Sequence, residues 1–303
     1  MLMLLAALVA LSRAGFADWE HREADIMGTR ITVELFHADP VIAEQATETV
    51  MQEMRRIDAT MSPYLQSSEL ARINRVAHRH AVKVSAELFE LIDRSIGFSE
   101  LTQGAFDITF ASAGFLYDYR GGKRPDQAQL KAAAGLIDYQ NLVMNAEAHT
   151  IGFTRPGVRI DLGGIAKGYA VDRCMQLLQA QGIRNALVTA GGDSRMIGDR
   201  WGRPWTIGVR DPRRKDGTVA LLPLKDVAVS TSGDYERYFD DQGVRYHHII
   251  DPKSGDSARA LQSVTIIGPD ATTTDALSTS VFVLGRERGM QLVNRLPDID
   301  AIL

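Results

Sequence analysis

The chain has 303 residues, 45% of them apolar and 24% charged, with 26 glycines and 10 prolines; that balance excludes a disordered, collagenous or multi-span membrane chain and leaves a soluble globular protein large enough for an enzyme cleft. Lys plus Arg number 34 against 38 Asp plus Glu, a formal charge of -4 without a long basic run, so the electrostatic footprint of a nucleic-acid binder is missing. A single cysteine, Cys174, excludes an intramolecular disulfide and a cysteine-based metal site, so any metal must be held by oxygen or imidazole.

In chain order, the first segment is MLMLLAALVALSRAGFADW, an apolar run from Met1 to Ala10 followed by the small residues Gly15 and Ala17. Residues 1–17 read as a secretory signal peptide, because the run is shorter than the ~20 apolar residues that a spanning helix needs. Residues 18–303 then form the working domain, exported and periplasmic. Met27 to Phe36 reads as a strand through Ile31, Thr32 and Val33. A helix follows, capped by Asp39 with Pro40 in its first turn and Ile42, Ala46, Val50, Met54 and Ile57 at helical spacing.

MSPYLQSSELARIN, Met61 to Asn74, is a loop leading into a short helical turn, and the next helix starts at the Ser85 cap and ends at Gly104. GAFDITF, Gly104 to Phe110, reads as a turn entering a strand, and Gly121, Gly122 and Pro125 mark a loop before another short helix. Val158 to Leu162 reads as a strand, Gly163 and Gly164 as a tight turn, and a helix from about Ile165 turns Ala170, Cys174, Leu177 and Leu178 inward until Gly182. On that stripe Cys174 is a small buried hydrophobe rather than a nucleophile.

Ala186–Thr189, Trp205–Val209, Val227–Ser230, His248–Ile250 and Val264–Ile267 read as strands, and the last helical region runs from Thr274 to Leu284 and, after Gly285, from Glu287 to Asn294. Strands and helices mix without a regular alternation, so the class is α+β, with mixed or antiparallel sheets and packed helices in two lobes enclosing a cleft.

Three constellations bear chemistry. DLGGIAKGYAVD, Asp161 to Asp172, sets a carboxylate, two glycines and Lys167 at a helix start, an arrangement suited to a phosphate and its metal; the same glycines also serve an ordinary strand-to-helix turn. In TTTDALSTS, Asp275 and Thr279 are four apart and share a helix face, presenting hard oxygens of the kind Mg2+ accepts. Asp275 could equally complement the helix dipole while Thr279 packs. In YHHIIDPKSG, His247 and His248 face opposite ways on a strand, so one of them enters a cleft, as a base or as a structural histidine.

Taken in order, MGT at Met27, MSPYLQSSELARIN at Met61, GAFDIT at Gly104, DLGGIAKGYAVD at Asp161, AGGD at Ala190, STSGDYERYF at Ser230, HIIDPKSG at His248 and TDALSTSVFVLG at Thr274 resemble the FAD:protein FMN transferase (ApbE) family. The resemblance implies an α+β fold with a flavin cleft and Mg2+ held by Asp275, Thr279 and the Gly164 carbonyl. It further implies FAD contacts at Met27, Tyr64, Ala105, Phe106, Asp107, Asp161, Lys167 and Ile249, and His248 near the reacting phosphate.

The activity implied is transfer of FMN from FAD to a threonine of an acceptor flavoprotein, a subunit of a membrane redox complex, with AMP released. His248 is the first candidate for the base and Asp251 the second. One departure is the lack of a cysteine after the leader, where many family members carry a lipobox. Two other functions use the same residues: a metal-dependent FAD pyrophosphatase with water as acceptor, and a flavin carrier without catalysis.

Overall fold

The computed structural model describes residues 18–214 and 216–303, so the expected leader lies outside the described residues. The chain opens with β1 (Glu20–Ile26), β2 (Thr29–Phe36), α1 (Pro40–Met61), α2 (Glu69–Val76), β3 (Val82–Lys83) and α3 (Ala86–Leu101). A 3-10 turn at Ile108–Phe110 leads into α4 (Ala111–Gly114), then α5 (Gln127–Ala134), β4 (Leu142–Asn145), β5 (Thr150–Phe153) and α6 (Ala166–Ala180). The remainder is β6 (Asn185–Ala190), β7 (Asp193–Ile197), β8 (Trp205–Arg210), β9 (Thr218–Leu224), β10 (Ala228–Gly233), β11 (Tyr238–Asp241), β12 (Val244–His247), β13 (Ser263–Gly268), α7 (Ala271–Val293) and β14 (Asp300–Ile302).

The main sheet is antiparallel throughout, in the order β1-β2-β6-β7-β10-β13-β14. Period-2 patterning explains which face is covered: Ile31, Val33 and Leu35 of β2, Ala186, Val188 and Ala190 of β6, and Val264 and Ile266 of β13 are all fully buried. Helices α1, α6 and α7 are joined to them in one core through Val50, Met54 and Ile57, Ala170, Cys174 and Leu178, and Leu277, Val281 and Phe282. The fold is α+β, with helices grouped against an antiparallel sheet.

The helix ends follow the capping chemistry in the sequence. Asp39 accepts from the Val41 N–H at 2.9 Å, Ser68 from Ala71 at 2.9 Å and Ser85 from Leu88 at 3.3 Å, each cap contributing ~1 kcal/mol. Gly285 interrupts α7 at φ 75 and ψ 178, the break expected between the two late helical stretches.

Several elements differ from the sequence expectation. GAFDITF enters a 3-10 turn and not a strand, because the Asp107 carboxylate accepts from Thr109 N–H at 2.8 Å and Thr109 Oγ1 at 2.6 Å and curls the chain. Val158 to Leu162 lies outside any ladder. Its backbone is paired by side chains: Ile160 N–H donates to Asn74 Oδ1 at 2.8 Å, and Asn74 Nδ2 donates to the Ile160 carbonyl at 2.9 Å. The strand expected at His248–Ile250 does not form: β12 ends at His247, just before it, and Ile250 keeps only an isolated bridge to Ser257. β1, EHREADI, was not evident because an edge strand with one partly solvated face alternates too weakly to stand out.

Candidate functional site

The site is organised where α6 meets α7. Asp172 of α6 anchors the start of α7, accepting from the Ala271 N–H at 2.9 Å, the Thr272 N–H at 2.8 Å and Thr272 Oγ1 at 2.5 Å, while Arg195 donates to it at 2.7 Å. Asp270 caps the same helix through the Thr273 N–H at 2.9 Å. Free helix-start N–H groups are thus satisfied without water, and α7 is fixed in rotation. Gly168 allows the close approach: a Cβ there would fall on the Ala271 carbonyl oxygen and 2.8 Å from Asp275 Cβ.

That approach delivers the Gly168 N–H to Asp275 Oδ2 at 3.0 Å. Lys167 Nζ donates to Asp193 Oδ2 at 2.6 Å and lies 3.3 Å from both Asp275 oxygens. Both carboxylates are buried. Burial and the neighbouring Asp193 charge push the Asp275 carboxyl up to about 7. Burial works against the Lys167 charge, yet Asp193 and Asp275 hold it above the ordinary lysine value, so it stays an ammonium.

One turn along α7, Thr279 Oγ1 lies 3.3 Å from Ser232 Oγ, itself 2.8 Å from Ser278 Oγ. Gly164 stands against the same threonine: a Cβ on Gly164 would meet Thr279 Oγ1 and Phe106 Cε2, each at 3.3 Å. Gly164, Lys167, Asp275 and Thr279 are therefore brought together. Their side chains offer a carboxylate and a hydroxyl, hard oxygens of the kind that Mg2+ accepts. Among the described residues no group of three or more His, Cys, Asp or Glu side chains forms an all-protein cage.

A second group surrounds Arg237, in the bend between β10 and β11. Its guanidinium lies beside the Tyr64 hydroxyl, and a Cβ on Gly28 would be 3.6 Å from Arg237 Nη2. Gly28 and Met27 form the β1–β2 turn with φ of 68 and 56, left-handed at both positions as a tight hairpin requires. Tyr64 is 65% exposed, its ring edge-on to Phe115, so most of one aromatic face is open for stacking. Asp161 closes the glycine turn by accepting from Gly163 N–H at 2.8 Å, and burial raises its carboxyl.

The two histidines divide as the strand period demands. His247 is buried, with Nε2 2.7 Å from the Ala258 carbonyl and Nδ1 accepting from Ile249 N–H at 3.3 Å, so it is a structural residue packed on Phe282. His248 donates its backbone N–H to the Arg237 carbonyl at 3.2 Å, and its buried Nδ1 has no protein partner. Burial first, then Arg237, His247 and Lys167, depress His248 to about 3, so at neutral pH it is an uncharged imidazole.

Other expected site residues sit in structural arrangements. The Asp107 carboxylate is occupied by Thr109 and by the Tyr139 N–H at 2.8 Å. Ala105 and Ile249 are buried, and Phe106 packs edge-on to Phe98. Asp251 closes the DPKSG turn, accepting from the Lys253 N–H at 3.0 Å. Asp193, Ser232 and Arg237 were absent from the expected set. AGGD and STSGDYERYF contain them, but nothing in either motif says that a residue 26 positions from Lys167 closes its ion pair.

Comparison with known proteins places this geometry among relatives. The ApbE family model matches residues 27–303. The FAD:protein FMN transferase of Treponema pallidum is 33% identical over 96% of this chain and 85% of its own length. That of Klebsiella pneumoniae is 33% identical over 92% and 87%. Among solved structures, the ApbE protein of Thermotoga maritima superposes with a TM-score of 0.86 at 38% identity, covering 94% of this chain and 93% of its own. The flavin transferase ApbE of Vibrio cholerae gives 0.84 at 30% identity over the same shares. With the match spanning nearly all of the described residues in both sequence and fold, this chain belongs to the ApbE family.

Proposed function

We propose that the chain is a Mg2+-dependent FAD:protein FMN transferase whose acceptor is a threonine hydroxyl. What carries the reading is the packing of Gly164, Lys167, Asp275 and Thr279 around one point, in a chain whose relatives bear that transferase name. Asp275, Thr279 and the Gly164 carbonyl are the residues that would hold the metal, which would supply charge neutralisation at the diphosphate and the departing phosphate. Lys167, already an ammonium between carboxylates, directs positive charge at the same diphosphate and keeps Asp275 oriented. The open face of Tyr64 stacks the flavin ring.

The acceptor threonine oxygen forms a bond to the FMN phosphorus while the bond from that phosphorus to the bridging oxygen breaks, and AMP leaves with the electron pair. His248 takes the hydroxyl proton at its unpartnered ring nitrogen. Burial first, and then the nearby cations, depress its basicity in the free protein; the anionic substrate offsets the cations' share, so the base strengthens when substrate is present. Asp251, tied to its own turn, is the second candidate. The leader-like residues 1–17 support export to the periplasm, and an exported subunit of a membrane redox complex fits as acceptor.

Incubation with FAD, Mg2+ and an acceptor domain, followed by intact-mass measurement, tests the reading. The expected result is one FMN phosphoester on the acceptor and release of AMP. No adduct under conditions where a related transferase labels the same domain would overturn it. Free FMN and AMP without acceptor would identify a pyrophosphatase, and tight FAD binding without AMP a carrier.

A further inference from the structure

Arg237 is a cation without a carboxylate partner among the described residues. It is exposed, and its neighbours are committed: Arg213 pairs with Asp234 at 2.7 Å and Arg245 with Asp240 at 3.0 Å. Among the described residues, no carboxylate comes within the 4.0 Å ion-pair distance of Arg237. Yet its position is defined. The guanidinium stands beside the Gly28 turn and the Tyr64 hydroxyl, and the backbone carbonyl accepts from the His248 N–H at 3.2 Å.

Asp161 and His248 both lie in the fields of Arg237 and Lys167 together. Lys167 of α6 and Arg237 of the β10–β11 bend thus act on the same two side chains. Lys167 is ion-paired with Asp193 and Asp275, whereas among the described residues Arg237 has no carboxylate within that distance. A planar guanidinium with free donors suits a phosphate better than an ammonium does, because two parallel N–H groups match two oxygens. Open Tyr64 beside it suits a flat ring, so ring and phosphate recognition adjoin.

We infer that Arg237 binds a phosphate of the dinucleotide substrate and so selects phosphorylated flavins over the bare flavin. The inference rests on the FAD-transfer reading above. The same contact holds the diphosphate beside His248, whose N–H is fastened to the Arg237 backbone.

Titration of FAD and of riboflavin, which lacks phosphate, into wild type, Arg237→Gln and Arg237→Lys in the presence of Mg2+ tests this. Arg237→Gln should weaken FAD binding by about 10- to 100-fold, the loss of a charge-assisted hydrogen bond, while riboflavin affinity and melting temperature stay at wild-type values. Arg237→Lys should recover part of the FAD affinity, since charge is kept and the fork is lost. Equal losses for both ligands would assign Arg237 to the ring and overturn the proposal, as would no loss for either. A wild type that binds FAD but never labels an acceptor would sink the transferase reading alone, because the binding comparison still decides the role of Arg237. A wild type that binds no FAD would end both.

Discussion

Gly168 of α6 abuts Ala271 of α7 so closely that any Cβ would collide with the Ala271 carbonyl oxygen. This contact lets a backbone N–H reach the Asp275 carboxylate. Gly168→Ala should force the helices apart and cost about 1–3 kcal/mol by overpacking, with transfer activity falling more steeply than stability. Urea unfolding and a transfer assay check both; wild-type stability would show that the helices separate freely.

Asp275→Ala should lower the transfer rate by roughly a thousandfold, the kinetic equivalent of several kcal/mol of charge stabilisation, while the protein still folds because Lys167 keeps Asp193. Thr279→Ala should raise the Mg2+ concentration needed for half-maximal rate. Rates measured against MgCl2 concentration test the pair. Full activity of Asp275→Ala would remove it from the ligand set.

Lys167→Met leaves Asp193 and Asp275 buried side by side without their cation. Removal of one partner from a buried ion cluster should cost about 3–5 kcal/mol. Added Mg2+ should restore part of the lost melting temperature by pairing the carboxylates. A thermal scan with and without MgCl2 reads both effects, and a variant as stable as wild type in chelator would contradict the arrangement.

Arg56 bonds Glu53 at 2.8 Å and Glu87 at 2.6 Å, and these bonds hold both carboxyls below the ordinary glutamate value of 4.5. A carboxyl depressed in the folded state contributes stability that is present above 4.5 and is lost as pH falls through the lowered folded values. Arg56 is itself partly exposed, so Arg56→Gln should cost only ~1 kcal/mol at neutral pH. That difference should shrink in acid below the glutamate range. Equal destabilisation at both pH values would exclude the linkage.

Cys174 is fully buried, its Sγ 3.7 Å from the Val50 carbonyl oxygen, and burial pushes the thiol well up. It should resist a thiol reagent in the native protein and react with one equivalent on unfolding. Fast labelling of folded protein would show that α1 and α6 open locally.

Much of the fold was legible from local signals. Asp39 and Ser85 announce helix starts, and β2 shows its buried face by alternation. Asp107 misled because its side chain bends GAFDITF into a 3-10 turn, a local bond that competes with the strand pattern. The ladder expected at Val158–Leu162 failed because Asn74, 86 positions from Ile160, pairs its backbone instead.

By itself the sequence determined most of the helices, the Asp39 and Ser85 caps, the inward stripes, the break at Gly285, and the shared face of Asp275 and Thr279, all set by bonds and periodicities within a few residues. Only the tertiary structure decided that Lys167 bridges Asp193 and Asp275, 26 and 108 positions away, that Asp172 fastens a helix start 99 positions on, and that Arg237 stands beside the Met27–Gly28 turn. Charge pairing and close packing depend on distance in space, and that distance exists only once the helices have docked on the sheet.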